Sequence, residues 1–143
     1  MRGSRLLLAL IAVGLAGCGT GRKGSAGFRL PDGDPVKGRA VFVAYRCYAC
    51  HRVAGETLPL PVADPPVPLR LGGQVTTSRT DGELVSSIIF PSHRILGGPS
   101  SAVQAGSLSR MGDFTETMTV RELIDLVAFL QSRYKEVPPP LYK

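Results

Sequence analysis

The segment Cys47-Tyr48-Ala49-Cys50-His51 decides how the rest of this sequence is interpreted, because it joins two thiols and an imidazole within five residues. The chain has three cysteines in 143 residues, and the remaining one, Cys18, lies well upstream. A zinc site would need a second pair of Cys or His residues to complete four ligands, and the sequence offers no such pair. A thioredoxin-like redox pair normally lies near a helix start in a βαβ unit, a context that the surrounding residues do not show. A simple disulfide stays possible in an oxidising compartment.

The same five residues form the pattern Cys-x-x-Cys-His, which is the attachment signature of c-type haem. Two thiols three positions apart reach the two vinyl groups on one edge of a porphyrin. The next residue, His51, then lies under the iron and supplies an imidazole nitrogen as the proximal ligand. The sequence therefore predicts one covalent haem c, bound through Cys47 and Cys50 and ligated by His51.

A short helix is predicted directly before the motif. Asp34 is a good N-cap, Pro35 suits the first helical turn, and apolar residues follow at helical spacing. Gly38 and Phe42 lie four residues apart and therefore on one helix face. A glycine inside a helix costs about 1 kcal/mol relative to alanine, and a close crossing with a second helix would justify it.

Two further helices are predicted after the motif. Thr119 and Glu122 form a capping box that opens a strongly amphipathic run, expected to be helical from about 120 to 135. A middle helix is expected from about 81 to 90, stopped by Pro91.

Together these segments resemble the class I cytochrome c family over residues 34–135. In that family an N-terminal helix with a Gly-x-x-x-aromatic pair crosses a C-terminal helix that ends in an aromatic-Leu pair. Gly38 and Phe42 match the first pair, and Phe129-Leu130 match the second. The resemblance implies an all-α fold of three to four short helices wrapped around a covalently attached haem. It also implies that a methionine from the loop before the last helix completes the iron.

Two methionines, Met111 and Met118, precede the last helix. Met111-Gly112-Asp113-Phe114 looks like the family's Met-Pro-x-Phe ligand loop, with glycine in place of proline, so Met111 is the expected distal ligand. Met118 directly precedes the N-cap, where an apolar residue normally packs against the first turn, and is the first alternative. His93 is the second alternative, which would give iron with two histidine ligands.

The segment from Leu58 to Pro68 carries five prolines and cannot be a helix or a central strand. We expect it to wrap the haem edge in extended form. In class I proteins a proline carbonyl here accepts the Nδ1–H of the proximal histidine, which fixes the ring and raises its basicity. Pro68 fits this role best by spacing, and Pro66 is the alternative.

The first residues are typical of an export signal. Arg2 and Arg5 precede an apolar stretch of ten residues, which is too short to span a bilayer. Leu-Ala-Gly before Cys18 resembles the lipobox of bacterial lipoproteins, in which the signal is removed and the cysteine is lipidated. Alternatives are a plain secretory signal, in which Cys18 is incidental, and a retained anchor helix.

The expected organisation is a signal peptide at 1–17, a glycine-rich tether at 18–34, a cytochrome domain at 35–137 and a proline-rich tail at 138–143. The protein would then be anchored by Cys18 to the outer face of a bacterial cytoplasmic membrane, or elsewhere in the cell envelope.

Composition and charge narrow the function classes. The chain is 43% hydrophobic and only 6% aromatic, with 17 glycines and 12 prolines, which excludes a coiled coil, a collagen and a large α/β enzyme. Arg2 and Arg5 fall in the signal, so the remaining basic and acidic residues give a charge of +4, about +2 once two haem propionates are ionised. This is too small to imply nucleic acid.

The expected function is one-electron transfer between redox protein partners, from a dehydrogenase donor to an oxidase-type acceptor. Two filled axial positions leave no iron site for a small-molecule substrate. The protein is thus not expected to be an enzyme, although it could be the cytochrome subunit of an oxidoreductase complex. Arg46, Arg52, Arg70 and Arg110 could steer an acidic partner or anchor propionates. The alternative function is a haem enzyme, or a gas or peroxide sensor, with an open sixth position.

Overall fold

The computed structural model describes residues 28–59, 69–76, 79–95 and 104–137. Helix α1 spans Pro35–Ala44, α2 spans Asp81–Ile89 and α3 spans Val120–Gln131, with short 3₁₀ helices at Cys47–Ala49 and Pro91–His93. The expectations for residues 1–17, for Cys18 and most of the tether, for Pro66 and Pro68, and for 138–143 lie outside the described residues. No helix within these ranges combines the length and apolarity needed to cross a bilayer.

The crossing of α1 and α3 is the centre of the fold. A Cβ atom built on Gly38 would lie 1.9 Å from the backbone oxygen of Asp125 and 2.8 Å from the Cβ of Phe129, so only glycine fits there. Phe42 packs edge-on against Phe129 with ring centroids 5.7 Å apart, and both rings are fully buried. The close crossing predicted from Gly38 and Phe42 is present.

Two carboxylates fix the amino terminus of α1: Asp34 caps the helix, and Asp125 ties it to α3. Asp34 Oδ1 accepts the backbone N–H groups of Val36 and Lys37, which confirms it as the N-cap. The backbone N–H of Asp34 in turn donates to Asp125 Oδ1 at 2.8 Å, across 91 residues of sequence. Asp125 is buried among apolar neighbours, and its remaining partner is Arg121 at 3.9 Å.

Helix α3 begins where the capping box predicts and ends earlier than expected. Thr119 and Glu122 exchange side-chain to backbone hydrogen bonds at its start. The helix stops at Gln131 rather than near 135, because the following residues pair with another segment.

Helix α2 agrees with the predicted range, ending one residue before the expected limit. Thr80 and Glu83 form a second capping box at its start, and Pro91 begins a 3₁₀ turn after Phe90. Gln131 on α3 donates to the Arg79 carbonyl at 2.7 Å, which fixes the start of α2 against the end of α3.

The sequence predicted an all-α fold, and this prediction needs one correction. Six strands of two or three residues accompany the helices in the described ranges. They form three two-stranded sheets. The parallel pairs are β1 (His51–Val53) with β2 (Leu69–Leu71), and β3 (Gly73–Val75) with β6 (Tyr134–Glu136). The hairpin is β4 (Gln104–Ala105) with β5 (Leu108–Ser109). Such short ladders connect loop segments that the helices have already brought together, so hydropathy patterns do not reveal them.

A charged cluster joins the chain after β1 to α1 and to the residues that follow α3. Glu56 accepts from Arg39 Nε on α1 at 2.7 Å and from Arg133 Nη2, just after α3, at 3.0 Å. The Glu56 side chain is only 10% exposed, and the Arg133 guanidinium lies 5.2 Å from the Phe129 ring centroid. This cluster braces the segment that carries the motif against the helix crossing.

Candidate haem site

The Cys-x-x-Cys-His motif forms a tight turn between α1 and β1. Arg46 precedes it in the left-handed conformation, with φ 56° and ψ 30°, and is the one non-glycine residue at positive φ in the described ranges. Cys47 opens the 3₁₀ turn, and the N–H of Cys50 donates to its carbonyl at 3.2 Å. His51 then begins β1, so the backbone places thiols and imidazole in immediate succession.

No disulfide joins Cys47 and Cys50, and the two side chains differ in environment. Cys47 is partly buried and lines an apolar cavity, whereas Cys50 is exposed. Burial raises the pKa of the Cys47 thiol to about 11, with a smaller contribution from Cys50. Within the described ranges no three His, Cys, Asp or Glu side chains come together as a metal cluster.

His51 is held in place by its backbone and lacks a partner for one ring nitrogen. The N–H of Leu69 donates to the Cys50 carbonyl at 3.0 Å, which aligns β2 beside the histidine. Burial lowers the pKa of His51, so the ring is the neutral imidazole that binds metal. The backbone of Leu69 partly offsets this lowering of the pKa. Among the described residues, the buried Nδ1 atom has no hydrogen-bond partner of acceptable geometry. The predicted acceptor, Pro68 or Pro66, lies just before Leu69 and outside the described residues.

Apolar side chains from all three long helices surround a cavity beside His51. Its volume is about 490 Å³ when the part open to solvent is included. Phe42 contributes from α1, Leu84 and Ile88 from α2, and Leu126 and Leu130 from α3. Such a space, with a neutral imidazole, a thiol and thioethers on its lining, suits a flat apolar macrocycle with iron at its centre. These residues therefore fit a haem.

The segment between β5 and α3 completes the lining. Met111, Phe114 and Met118 all line the cavity, and all three are partly buried. The N–H of Met111 donates to Ser109 Oγ, and the N–H of Met118 donates to the Phe114 carbonyl at 2.9 Å. Both methionines are thus brought to the site, so Met118 does more than flank the helix start.

The glycine that replaces the family's proline is not required by the backbone. Gly112 is exposed and does not adopt positive φ, and a Cβ there would make ordinary contact with the Phe114 ring at 3.5 Å.

His93 is placed apart from this lining. It ends the 3₁₀ turn after α2 and is exposed. Its Nδ1 bonds to the Phe90 carbonyl at 2.6 Å, and its ring stacks on Phe90 with centroids 5.8 Å apart. His93 does not line the cavity.

The four arginines singled out in the sequence have different roles. Arg52 Nη1 donates to the Tyr48 carbonyl at 2.7 Å and so braces the motif itself. Arg70 lies opposite Arg52 in the β1–β2 ladder and is exposed, as are Arg46 and Arg110.

Sequence reasoning missed Tyr45, the residue that caps α1. Its ring packs edge-on against Phe114, and its hydroxyl donates to the Thr117 carbonyl at 2.8 Å. An aromatic residue two positions before the first motif cysteine was the available signal. The Thr117 carbonyl lies 72 residues away in sequence, and Phe114 is almost as distant, so the pattern alone did not reveal these contacts.

Comparison with known proteins agrees with this geometry. The family model described as Cytochrome c matches residues 35–133, which is well over half of the chain. No curated protein and no solved structure gives a significant match. The matched range contains the motif, the helix crossing and both candidate methionines, and the family implies a covalently bound haem c. This chain therefore belongs to the class I cytochrome c family.

Proposed function

We propose that this cytochrome c is an exported, membrane-tethered one-electron carrier in which His51 and Met111 are the axial ligands of a single haem iron. Members of the family are electron-carrier haem proteins rather than enzymes, and they act with redox protein partners. The observation that carries the finer proposal is the shared cavity, because His51 and Met111 both line one apolar space.

The side chains around the cavity have separate tasks. Cys47 and Cys50 would hold the haem through two thioether bonds, and the haem iron would supply one-electron chemistry. Phe42, Leu84 and Leu126 exclude water from the space. His51 would bind as a neutral imidazole. Its buried Nδ1 has no hydrogen-bond partner among the described residues, which supports the expectation that a carbonyl outside them, that of Pro68, would accept from it and orient the ring.

Filling both axial positions with side chains favours electron transfer over catalysis. A thioether ligand stabilises the reduced state and raises the reduction potential relative to two histidines. An iron without an open position has no site for substrate.

Anchoring at the membrane is the second part of the proposal. Lipidation of Cys18 and a glycine-rich segment up to Asp34 would let the domain swing between a dehydrogenase donor and an oxidase-type acceptor at the outer face. The exposed Arg46 and Arg70 near the motif support an acidic surface on a partner. Mass spectrometry of the amino-terminal peptide, with Cys18→Ser as the comparison, tests the anchor: an unmodified Cys18, or membrane attachment that persists in Cys18→Ser, contradicts it.

Spectra of the haem-loaded protein test the ligands. We would record oxidised, reduced and CO-treated spectra of the wild type, Met111→Ala and Met118→Ala, with His93→Ala as the control from outside the cavity. The expected result is a thioether charge-transfer band at the red end of the ferric spectrum that is lost only in Met111→Ala, and no CO binding in the wild type.

Other outcomes assign the site differently. Loss of the band only in Met118→Ala would make Met118 the ligand. A wild type without the band that binds CO would replace the carrier with a ligand-binding haem protein. A wild type without the band that ignores CO would point to His93.

A further inference from the structure

Tyr45 links the end of α1 to the segment that carries both methionines. Its hydroxyl lies 2.8 Å from the Thr117 carbonyl and 3.3 Å from Glu122 Oε2, and its ring meets the Phe114 ring at 87° with centroids 5.7 Å apart. The single hydroxyl proton is therefore directed to the Thr117 carbonyl, the nearer acceptor, with the Glu122 carboxylate as the second.

The segment that Tyr45 contacts has little regular structure of its own. Between Met111 and Met118 the backbone forms one turn, in which the Phe114 carbonyl accepts from Thr117 and Met118. No helix or strand ladder spans these residues, so contacts from neighbouring elements must fix them. Tyr45 touches the turn at both of its ends, Phe114 and Thr117.

Tyr45 is itself firmly placed. It is the C-cap of α1, its N–H donates to the Val41 carbonyl at 2.9 Å, and it directly precedes the left-handed Arg46. The same short stretch leads two residues later to Cys47. One rigid helix end therefore holds both the attachment motif and the methionine segment.

We propose that Tyr45 is a positioning residue for the methionine ligand: it holds the Met111–Met118 segment closed over the haem and slows the opening that releases the thioether. This inference rests on the proposed methionine ligation. Tyr45 touches neither iron nor haem in this role and acts through Phe114 and Thr117.

Two substitutions separate the contacts of Tyr45. Tyr45→Phe keeps the ring against Phe114 and removes the hydrogen bond, whereas Tyr45→Leu removes both. Tyr134→Phe is the matched control, because Tyr134 is also partly buried but its hydroxyl makes no hydrogen bond within the described residues.

The readout is the rate at which imidazole replaces the methionine in the ferric holoprotein, since segment opening limits that rate. Loss of one hydrogen bond should accelerate imidazole binding about fivefold in Tyr45→Phe, and more in Tyr45→Leu. Amide hydrogen exchange at Thr117 and Met118 should rise by a similar factor. The red-end band should disappear on heating before the far-ultraviolet circular dichroism changes. Tyr134→Phe should match the wild type in all three measurements.

Each alternative outcome has a clear meaning. Imidazole binding to Tyr45→Phe at the wild-type rate, with unchanged exchange at Met118, overturns the positioning role. Simultaneous loss of the band and of helical structure also overturns it, because Tyr45 would then act only on global stability. A wild type without the red-end band refutes the methionine ligation itself, and this failure is visible before any Tyr45 variant is made.

Discussion

Replacing Gly38 by alanine tests whether the crossing of α1 and α3 is as close as the structure shows. The added methyl group would lie 1.9 Å from the Asp125 backbone oxygen, whereas ordinary contacts of this kind begin near 3.4 Å. The obstacle is backbone and cannot rotate away. The two helices must therefore separate by about 1.5 Å at this point, which is the difference between those two distances.

The energetic cost follows from the pair of rings at the crossing. Phe42 and Phe129 are buried almost completely, and truncating such a residue costs about 3–5 kcal/mol. A gap of 0.5–1 Å already forfeits about a quarter to a half of the dispersion energy, which gives about 1–2 kcal/mol for each ring. Alanine is about 1 kcal/mol better than glycine inside a helix. The expected net destabilisation is about 1–3 kcal/mol.

The chain supplies its own control in Gly82 on α2. A Cβ there would meet only the Phe28 ring, at 3.8 Å, so Gly82→Ala should stabilise the protein by about 0.4–1 kcal/mol. Guanidinium unfolding of both haem-loaded variants, followed by far-ultraviolet circular dichroism, measures the two free energies. The reasoning is refuted if Gly38→Ala is as stable as the wild type, because helix propensity would then outweigh the contact.

Three further predictions concern stability. Glu56→Gln should lower the free energy of unfolding by about 1–3 kcal/mol in denaturant titrations, because charge-assisted bonds to two arginines are lost; an unchanged midpoint would show that the cluster is dispensable. Arg46→Gly should raise the thermal midpoint, because glycine tolerates left-handed backbone, and Arg46→Val should lower it; equal midpoints would contradict the strained geometry. The backbone N–H of Thr80, with help from Arg79 and Arg94, lowers the pKa of Glu83 below 4.5, so its stabilising contribution is present above that pH and disappears as pH falls through the lower value. The free energy of unfolding should therefore fall less steeply between neutral and acid pH in Glu83→Gln than in the wild type. Parallel pH profiles would show that the Glu83 carboxylate does not contribute to this dependence.

Features coded by neighbouring residues were predictable from the sequence. Asp34 and the pair Thr119 and Glu122 mark helix starts, because a cap depends only on atoms within one turn. Thr80 and Glu83 carry the same capping signal, although the middle helix was predicted from its apolar spacing and Pro91 alone. The end of α3 was wrong by about four residues, because pairing of β6 with a distant strand overrides the helical pattern.

The candidate site also combines features set by neighbouring residues, which were predictable, with features set by distant ones, which were not. The attachment motif was readable because its spacing is dictated by the porphyrin. Met111 and Met118 both line the cavity, so their placement does not by itself choose between them, and Met111 as the ligand stays a prediction. Tyr45 and Asp125 were missed, because their partners are far away in the chain. A carboxylate inside the apolar stripe of the last helix was nevertheless a usable sign that Asp125 has a buried partner.

Helix α3 supplies both the Asp125 carboxylate that accepts from the Asp34 backbone N–H and part of the cavity lining. This double role has a consequence for the order of assembly. Ninety-one residues separate the two aspartates, so the crossing closes a loop that includes nearly all of the folded chain. During synthesis from the amino terminus, Cys47 emerges long before Leu126 and Leu130 exist to cover the space beside it. The attachment cysteines would therefore be open to a macrocycle before the α3 side of the cavity is in place.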